Sequence, residues 1–299
     1  MEKSTIVYYE FFDKEGKCEA LKQMDEFRQQ GTFCDVILST EEGQEIQAHR
    51  LVLAASSAYF RAMFLTDMKE SQQKVITIRW VSSDSLKALI DYSYSSKIKI
   101  CVENVESILS TASMLQFLRV EEACYDFLSN NIEVGNCVDV WNLSELHDCH
   151  ELVERVETFI RGNFSLVLKS SEFFGLSAKQ LSKLLSHDKL NVPSESSVFC
   201  AVMSWVKYDL STRKQFLLQF LEHIRLPVLT RKFLIDTVAK EELVMADPKC
   251  REYVIEAIDY HLIPERRTKT AMSPRTIPRE KSNRCLFVIG GEGGYRYIK

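Results

Sequence analysis

Ala48-His49-Arg50-Leu51-Val52-Leu53-Ala54-Ala55-Ser56-Ser57-Ala58-Tyr59-Phe60-Arg61-Ala62-Met63-Phe64 is the stretch on which the reading of the fold turns. Leu51 to Phe64 is rich in small residues and in helix-compatible apolar ones. The serine pair Ser56-Ser57 suits a break, so two short helices are expected there. Upstream, Cys34 to Ser39 reads as a strand and Glu45 to Ala48 as a second one. The polar turn Glu41 to Gly43 joins them as a hairpin. Before them, Ala20, Leu21, Met24 and Phe27 fall on one face of a helix over Cys18 to Gln30, and Gly31 is a natural stop. Downstream, Val75 to Ile78 alternates as a third strand. Leu86 to Tyr94 is a helix capped by Ser82 or Ser83, with Asp84 in its first turn. A short strand is expected at Ile98 to Ile100, then helices at Val105 to Leu115 and Val120 to Asn130.

The pattern changes after Asn131. From Cys137 to His261 nearly every apolar residue falls on a helical period, beginning with Val138, Val140, Trp141, Leu143 and Leu146. Leu152, Val153, Val156, Phe159 and Ile160 continue it. Further helices are expected over Ala178–Leu185, Ser196–Tyr208, Arg213–Glu222, Thr230–Val238 and Cys250–Tyr260. This is an α-helical bundle or stack without true repeats. Residues 263–284 hold Pro264, Pro274 and Pro278 and seven basic residues against Glu265 and Glu280, which reads as a flexible linker. Leu286 to Ile289 is a buried-type strand running into Gly290-Gly291.

Composition narrows the function classes. The 299 residues amount to two domains at roughly 150 residues each. A 45% hydrophobic and 27% charged chain is an ordinary globular protein. No apolar run of about 18 residues exists, so no transmembrane helix and no membrane partner are expected. Glu2 and Glu10 rule out a secretory signal at the start. Net charge is -4, which argues against nucleic acid as the partner. Nine scattered cysteines then read as reduced thiols, which places the chain in the cytoplasm with the nucleus as a second compartment.

Enzymatic signatures are missing. There is no G-x-S-x-G elbow and no P-loop, and the glycines after Ile289 are followed by neither a helix nor a Lys-Ser/Thr pair. Cys137, His147, Cys149 and His150 lack structural-zinc spacing, so neither a metal nor any other cofactor is assigned. No catalytic residue is assigned.

Three stretches resemble a known family. Ala48 to Ser56 and Tyr59 to Phe64, with Phe33-Cys34-Asp35-Val36 upstream, resemble the BTB (POZ) signature. A second set is similar to the BACK domain of Kelch-like proteins: Ser171-Glu172-Phe173, Leu190-Asn191-Val192, Glu195, Val198-Phe199, Trp205-Val206-Lys207-Tyr208-Asp209 and Ile224-Arg225-Leu226-Pro227. Leu286 to Gly291 resembles the first strand of a Kelch repeat. The implied organisation is an α+β BTB/POZ domain at 1–131, an all-α BACK domain at 132–262, a linker at 263–284 and the start of a first Kelch repeat at 285–299. Kelch-like proteins continue into a β-propeller, so the resemblance implies that this chain is a fragment or a short form.

The resemblance implies a substrate adaptor of a cullin-3 ubiquitin ligase that does no chemistry itself. The family's cullin-contact motif falls on Met68-Lys69-Glu70. Met68 suits a partner's groove and Glu70 can accept hydrogen bonds from it. The same spacing also fits Met68 in its own core and Glu70 in solvent. Tyr59, Phe64 and Tyr94 complete the expected cullin-facing patch, with burial in the fold as the competing reading. The helices over Cys137 to Phe164 are expected to form the other wall. Homodimerisation is the second implied activity, through Leu21, Met24 and Phe27 of the first helix and the charged pair Asp35 and Arg50. A protein substrate would be held by a propeller that these residues do not contain. The alternatives are a non-ligase BTB scaffold, cytoskeletal or transcriptional, and an inhibitory form lacking the propeller.

Overall fold

Residues 16–66, 72–263 and 274–279 are described by a computed structural model of the chain. They divide into two compact units. One comprises residues up to Asn131 together with Leu143–Leu152; the other comprises Ile132–Asn142 and the chain from Val153 onward.

The first unit is built around three strands, β1 (Val36–Thr40), β2 (Glu45–Ala48) and β3 (Val75–Ile78), in the order β2-β1-β3. Alternation sets the faces: Val36, Leu38, Ile46, Ala48, Ile76 and Ile78 are buried, while Glu45, Gln47, Val75 and Thr77 are exposed. β1 and β2 pair antiparallel through the expected hairpin. Gly43 turns it at φ +84°, and its N–H donates to Thr40 O at 3.0 Å. β1 and β3 pair parallel, with Leu38 beside Ile76, which requires a crossover.

That crossover carries α2 (Arg50–Ser56) and α3 (Ala58–Leu65), broken where the serine pair suggested. Ser57 is extended; its Oγ accepts the Phe60 N–H at 3.1 Å and donates to Leu115 O at 2.6 Å. Four more helices complete this part: α1 (Gly16–Gln29), α4 (Ser83–Ser95), α5 (Val105–Met114) and α6 (Leu118–Asn130). Ser82, rather than Ser83, caps α4, by accepting from Ser85 N. Ser83 instead donates to the Glu42 carboxylate from the hairpin turn and lies 2.7 Å from Thr40 Oγ1. Leu38, Leu53, Phe60, Leu86, Leu89, Ile90, Leu109 and Leu115 form the core.

The strand expected at Ile98–Ile100 is absent among the described residues. An alternating apolar pattern makes a strand only beside another strand. Here the Asn104 side chain takes the local backbone groups, donating to Lys99 O at 3.0 Å and accepting from Cys101 N at 2.8 Å.

The second unit is helical, as its period implied. Its helices are α7 (Cys137–Leu146), α8 (His150–Val167), α9 (Glu172–Gly175), α10 (Ala178–Ser186), α11 (Glu195–Tyr208), α12 (Leu210–Arg213), α13 (Leu217–His223), α14 (Arg231–Asp236), α15 (Glu242–Ala246) and α16 (Pro248–Leu262). The unit division falls within α7 and α8. Val156, Ile160, Phe164 and Val167 form one fully buried stripe of α8. Trp205 is buried against Phe220, with its indole N–H donating to Leu176 O at 3.0 Å. Side-chain caps set the helix starts: a capping box at Ser177 and Gln180, Thr230 on α14, and Asp247 followed by Pro248 on α16. The expected helix over Arg213–Glu222 is narrower, because a 3-10 turn at Lys214–Phe216 precedes α13.

Residues 274–279 depart from the flexible-linker reading. Arg279 is buried with Glu195, and Arg275 lies over the Tyr253 ring at 4.3 Å. The first Kelch strand, expected at 285–299, lies outside the described residues.

Candidate partner-binding surfaces

α1 is held to the first unit by its polar side. Arg28 donates to Asp25 at 2.8 Å and to Asp91 of α4 at 2.6 Å, and its guanidinium lies 4.8 Å from the Tyr94 ring centre. None of the described α1 side chains is buried. Leu21 is half-buried, and Met24 and Phe27 are each 38% exposed. Phe27 meets the edge of Phe33, which stands at φ +60° and is 77% exposed. Leu51 of α2 is equally exposed. A helix whose apolar residues stay at the surface beside a further exposed apolar side chain, Phe33, is an unpartnered face.

Sequence reasoning named Leu21, Met24 and Phe27 and missed Phe33 and Leu51. For Leu51 a signal existed. Leu51-Val52-Leu53 spans roughly 200° of a helix at 100° per residue, so one of the three must leave the core. Val52 and Leu53 are buried.

Asp35 and Arg50, expected as a charged pair, meet through the Arg50 backbone. Asp35 is exposed, and its carboxylate accepts the Arg50 backbone N–H at 2.8 Å. It satisfies the first turn of α2, where His49 makes no side-chain cap. The Arg50 guanidinium donates to Asp35 O at 3.4 Å and to Gln73 O, and lies over the Phe64 ring at 4.8 Å.

The second surface is α3. Tyr59 is half-buried and meets the edge of Phe60 at 5.5 Å. Phe64 is also half-buried, packed between the Phe60 ring at 5.8 Å and the Arg50 guanidinium. Leu65, which the sequence reading did not single out, is 77% exposed at the end of the helix. Met68 and Glu70 lie outside the described residues.

Tyr94 does not belong to an exposed patch. It is 1% exposed, and its hydroxyl accepts the His49 backbone N–H at 2.9 Å and lies 3.0 Å from His49 Nδ1. Burial pushes this phenol up to about 12. Its aromatic bulk and polar tip were compatible with an interface, but the tip is spent on a partner inside the same unit.

Among the described residues no group of three His, Cys, Asp or Glu side chains is placed to hold a metal ion. Cys137 is buried and its thiol donates to Val134 O, while His150 is exposed beside Asp148. Burial pushes the Cys34 thiol up despite the nearby Arg28 charge. No described helix is long and apolar enough to cross a membrane.

Comparison with known proteins agrees with this architecture. Residues 24–132 match the BTB/POZ domain family, and residues 137–239 match the family described as BTB And C-terminal Kelch, or BACK. The chain is therefore a BTB-BACK protein. It is similar to Kelch-like proteins: it is 40% identical over 276 residues to Kelch-like protein 3 of Homo sapiens, across 92% of this chain and 47% of that protein. Kelch-like protein 2 of Rattus norvegicus is 39% identical over 276 residues, 92% of this chain and 46% of that protein. The chain spans about half the length of the curated relatives it matches. A solved structure, the BTB domain of zebrafish PATZ1, aligns with 42% of this chain and 100% of its own at 29% identity and a TM-score of 0.38.

Proposed function

We propose that the chain is the scaffolding part of a cullin-3 ubiquitin ligase adaptor, working in the cytoplasm or nucleus. It binds a second copy of itself through α1 and the cullin through α3 and the residues that follow it. It performs no chemistry. Its contribution is proximity: one assembly holds a protein substrate and the ubiquitin-loaded enzyme together, which raises their effective concentration. The substrate would be held by a Kelch propeller.

The observation that supports self-association is the partly exposed stripe of Leu21, Met24 and Phe27, continued by Phe33 against Phe27. Support for the cullin comes from the similarity to Kelch-like proteins and from half-buried Tyr59 and exposed Leu65 on α3. In this reading Met68 fills an apolar groove of the cullin and Glu70 accepts a hydrogen bond from it.

The test is calorimetric titration of the purified chain with the N-terminal region of cullin-3, beside the double variant Met68→Ala, Glu70→Ala. Micromolar or tighter binding by the wild type, lost in a folded double variant, is expected. A folded, dimeric wild type that binds no cullin would replace this reading with a non-ligase BTB scaffold.

A further inference from the structure

Arg279 sits in a socket that matches a guanidinium donor for donor. A guanidinium carries five N–H groups in a planar fork. Here Nε donates to Glu195 Oε2 at 3.0 Å. Nη2 donates to Glu195 Oε1 at 3.2 Å and to His223 O at 3.0 Å. Nη1 donates to Leu185 O at 2.9 Å and to His187 O at 2.6 Å. All five donors are used, and the Arg279 and Glu195 side chains are each only 4% exposed.

The acceptors come from three separate places in the second unit. Glu195 opens α11. Leu185 and His187 lie at the end of α10, and His223 ends α13. Terminal carbonyls of a helix have no intrahelical donor and carry partial negative charge, so one cation serves two helix ends and a carboxylate together. Glu195 is committed to the site as well, since its Oε1 also accepts the Arg225 backbone N–H at 2.9 Å.

Two more arginines fasten the same short segment. Arg225 Nη1 donates to Ile277 O at 2.6 Å while Nη2 meets Asp188. Arg275 pairs with Glu256 at 3.2 Å and lies over Tyr253. Six residues with two prolines and little apolar surface are thus held by a polar lock instead of by a core.

We propose that residues 274–279 are a strap belonging to the second unit, and that Arg279 is the positioning residue that anchors it. The strap fixes the point from which the chain leaves the helical unit. Whatever follows is then carried from a defined origin and not from a free tether, which restricts the volume it samples. That this cargo is the substrate-binding arm rests on the function proposed above; the strap itself does not. The socket selects arginine over lysine, because an ammonium offers three donors without the fork.

Trypsin tests this directly, because it must take Arg279 out of the socket to cut the Arg279–Glu280 bond. The full chain is digested beside a synthetic peptide spanning residues 272–285, and cleavage at that bond is followed by mass spectrometry. Cleavage in the folded chain is expected to be at least about tenfold slower than in the peptide. Arg279→Lys and Glu195→Gln, each keeping a trypsin site and checked for wild-type helicity, are expected to recover most of the peptide rate. In Arg279→Ala, methylguanidinium is expected to raise the melting temperature more than sodium chloride at equal ionic strength. Cleavage of the wild type at the peptide rate, or Arg279→Lys cut as slowly as the wild type, would overturn the proposal. No cullin enters the assay, so its outcome is independent of the ligase reading.

Discussion

The Tyr94 hydroxyl joins the His49 backbone and the His49 ring at once, 2.9 Å from the N–H and 3.0 Å from Nδ1. The other ring nitrogen, Nε2, lies 3.1 Å from Thr32 O, which can only accept. Nε2 therefore carries hydrogen, and in the neutral ring Nδ1 accepts a hydrogen bond from the Tyr94 O–H. This strut ties the start of α2 to α4 and to the approach to β1. Tyr94→Phe leaves a buried N–H without its acceptor, and a loss of about 1–3 kcal/mol is expected in urea unfolding. Self-association should be unchanged. Wild-type stability combined with weakened partner binding would return Tyr94 to the interface.

Met24→Asp combined with Phe27→Asp should convert the chain to a monomer in sedimentation equilibrium. Neither residue is buried in the unit, so the variant should keep its helicity. A variant that stays dimeric would place the self-association surface elsewhere.

Thiol reactivity should separate sharply by position. Burial pushes the thiols of Cys124 and Cys250 up to about 12 and that of Cys137 up to about 11, whereas Cys200 is exposed on α11. At pH 7.5 the native chain should alkylate at Cys200 long before Cys124, Cys137 or Cys250, because the thiolate is the nucleophile. Peptide mapping after a brief iodoacetamide pulse reads this. Early modification of Cys137 would mean that α7 opens readily.

Glu157 should contribute an acid-sensitive part of the second unit's stability. Burial pushes its carboxyl up, but Lys183 and His187, each 2.6 Å away, outweigh this and hold it below the ordinary value. A depressed folded pKa means stability that is present above the unfolded value of about 4.3 and is lost as pH falls through the folded one. Glu157→Gln should cost about 1–2 kcal/mol at pH 7 and less below pH 4. Parallel stability curves for the two proteins from pH 7 to pH 3 would contradict this.

Legibility in the sequence followed the range of the forces involved. The α2–α3 break was readable because Ser57 acts on Phe60, three residues away. The α1 stripe was readable because its period is local, although periodicity could not tell a covered face from an uncovered one. Ile98–Ile100 misled because a strand depends on a neighbour that its own pattern does not mention. Arg279 misled more strongly. Its prolines and like-charged neighbours describe a solvated chain, while its acceptors stand 56 to 94 positions away. Asp35 and Arg50 were expected as a charged pair, but backbone capping, which sequence pairing does not distinguish from an ion pair, is what joins them in the structure.

The parallel register of β1 and β3 bears on how the chain is made. The β1–β2 hairpin can close as soon as it leaves the ribosome, but Val75 emerges roughly forty residues after Ile37, its partner. At about 5–20 residues per second, the second edge of β1 waits a few seconds for its match. During that interval a nascent chain offers Val36, Leu38 and an open backbone edge to any neighbour on the same message. Polysomes carrying this sequence are therefore a place where two copies can meet before either has finished folding.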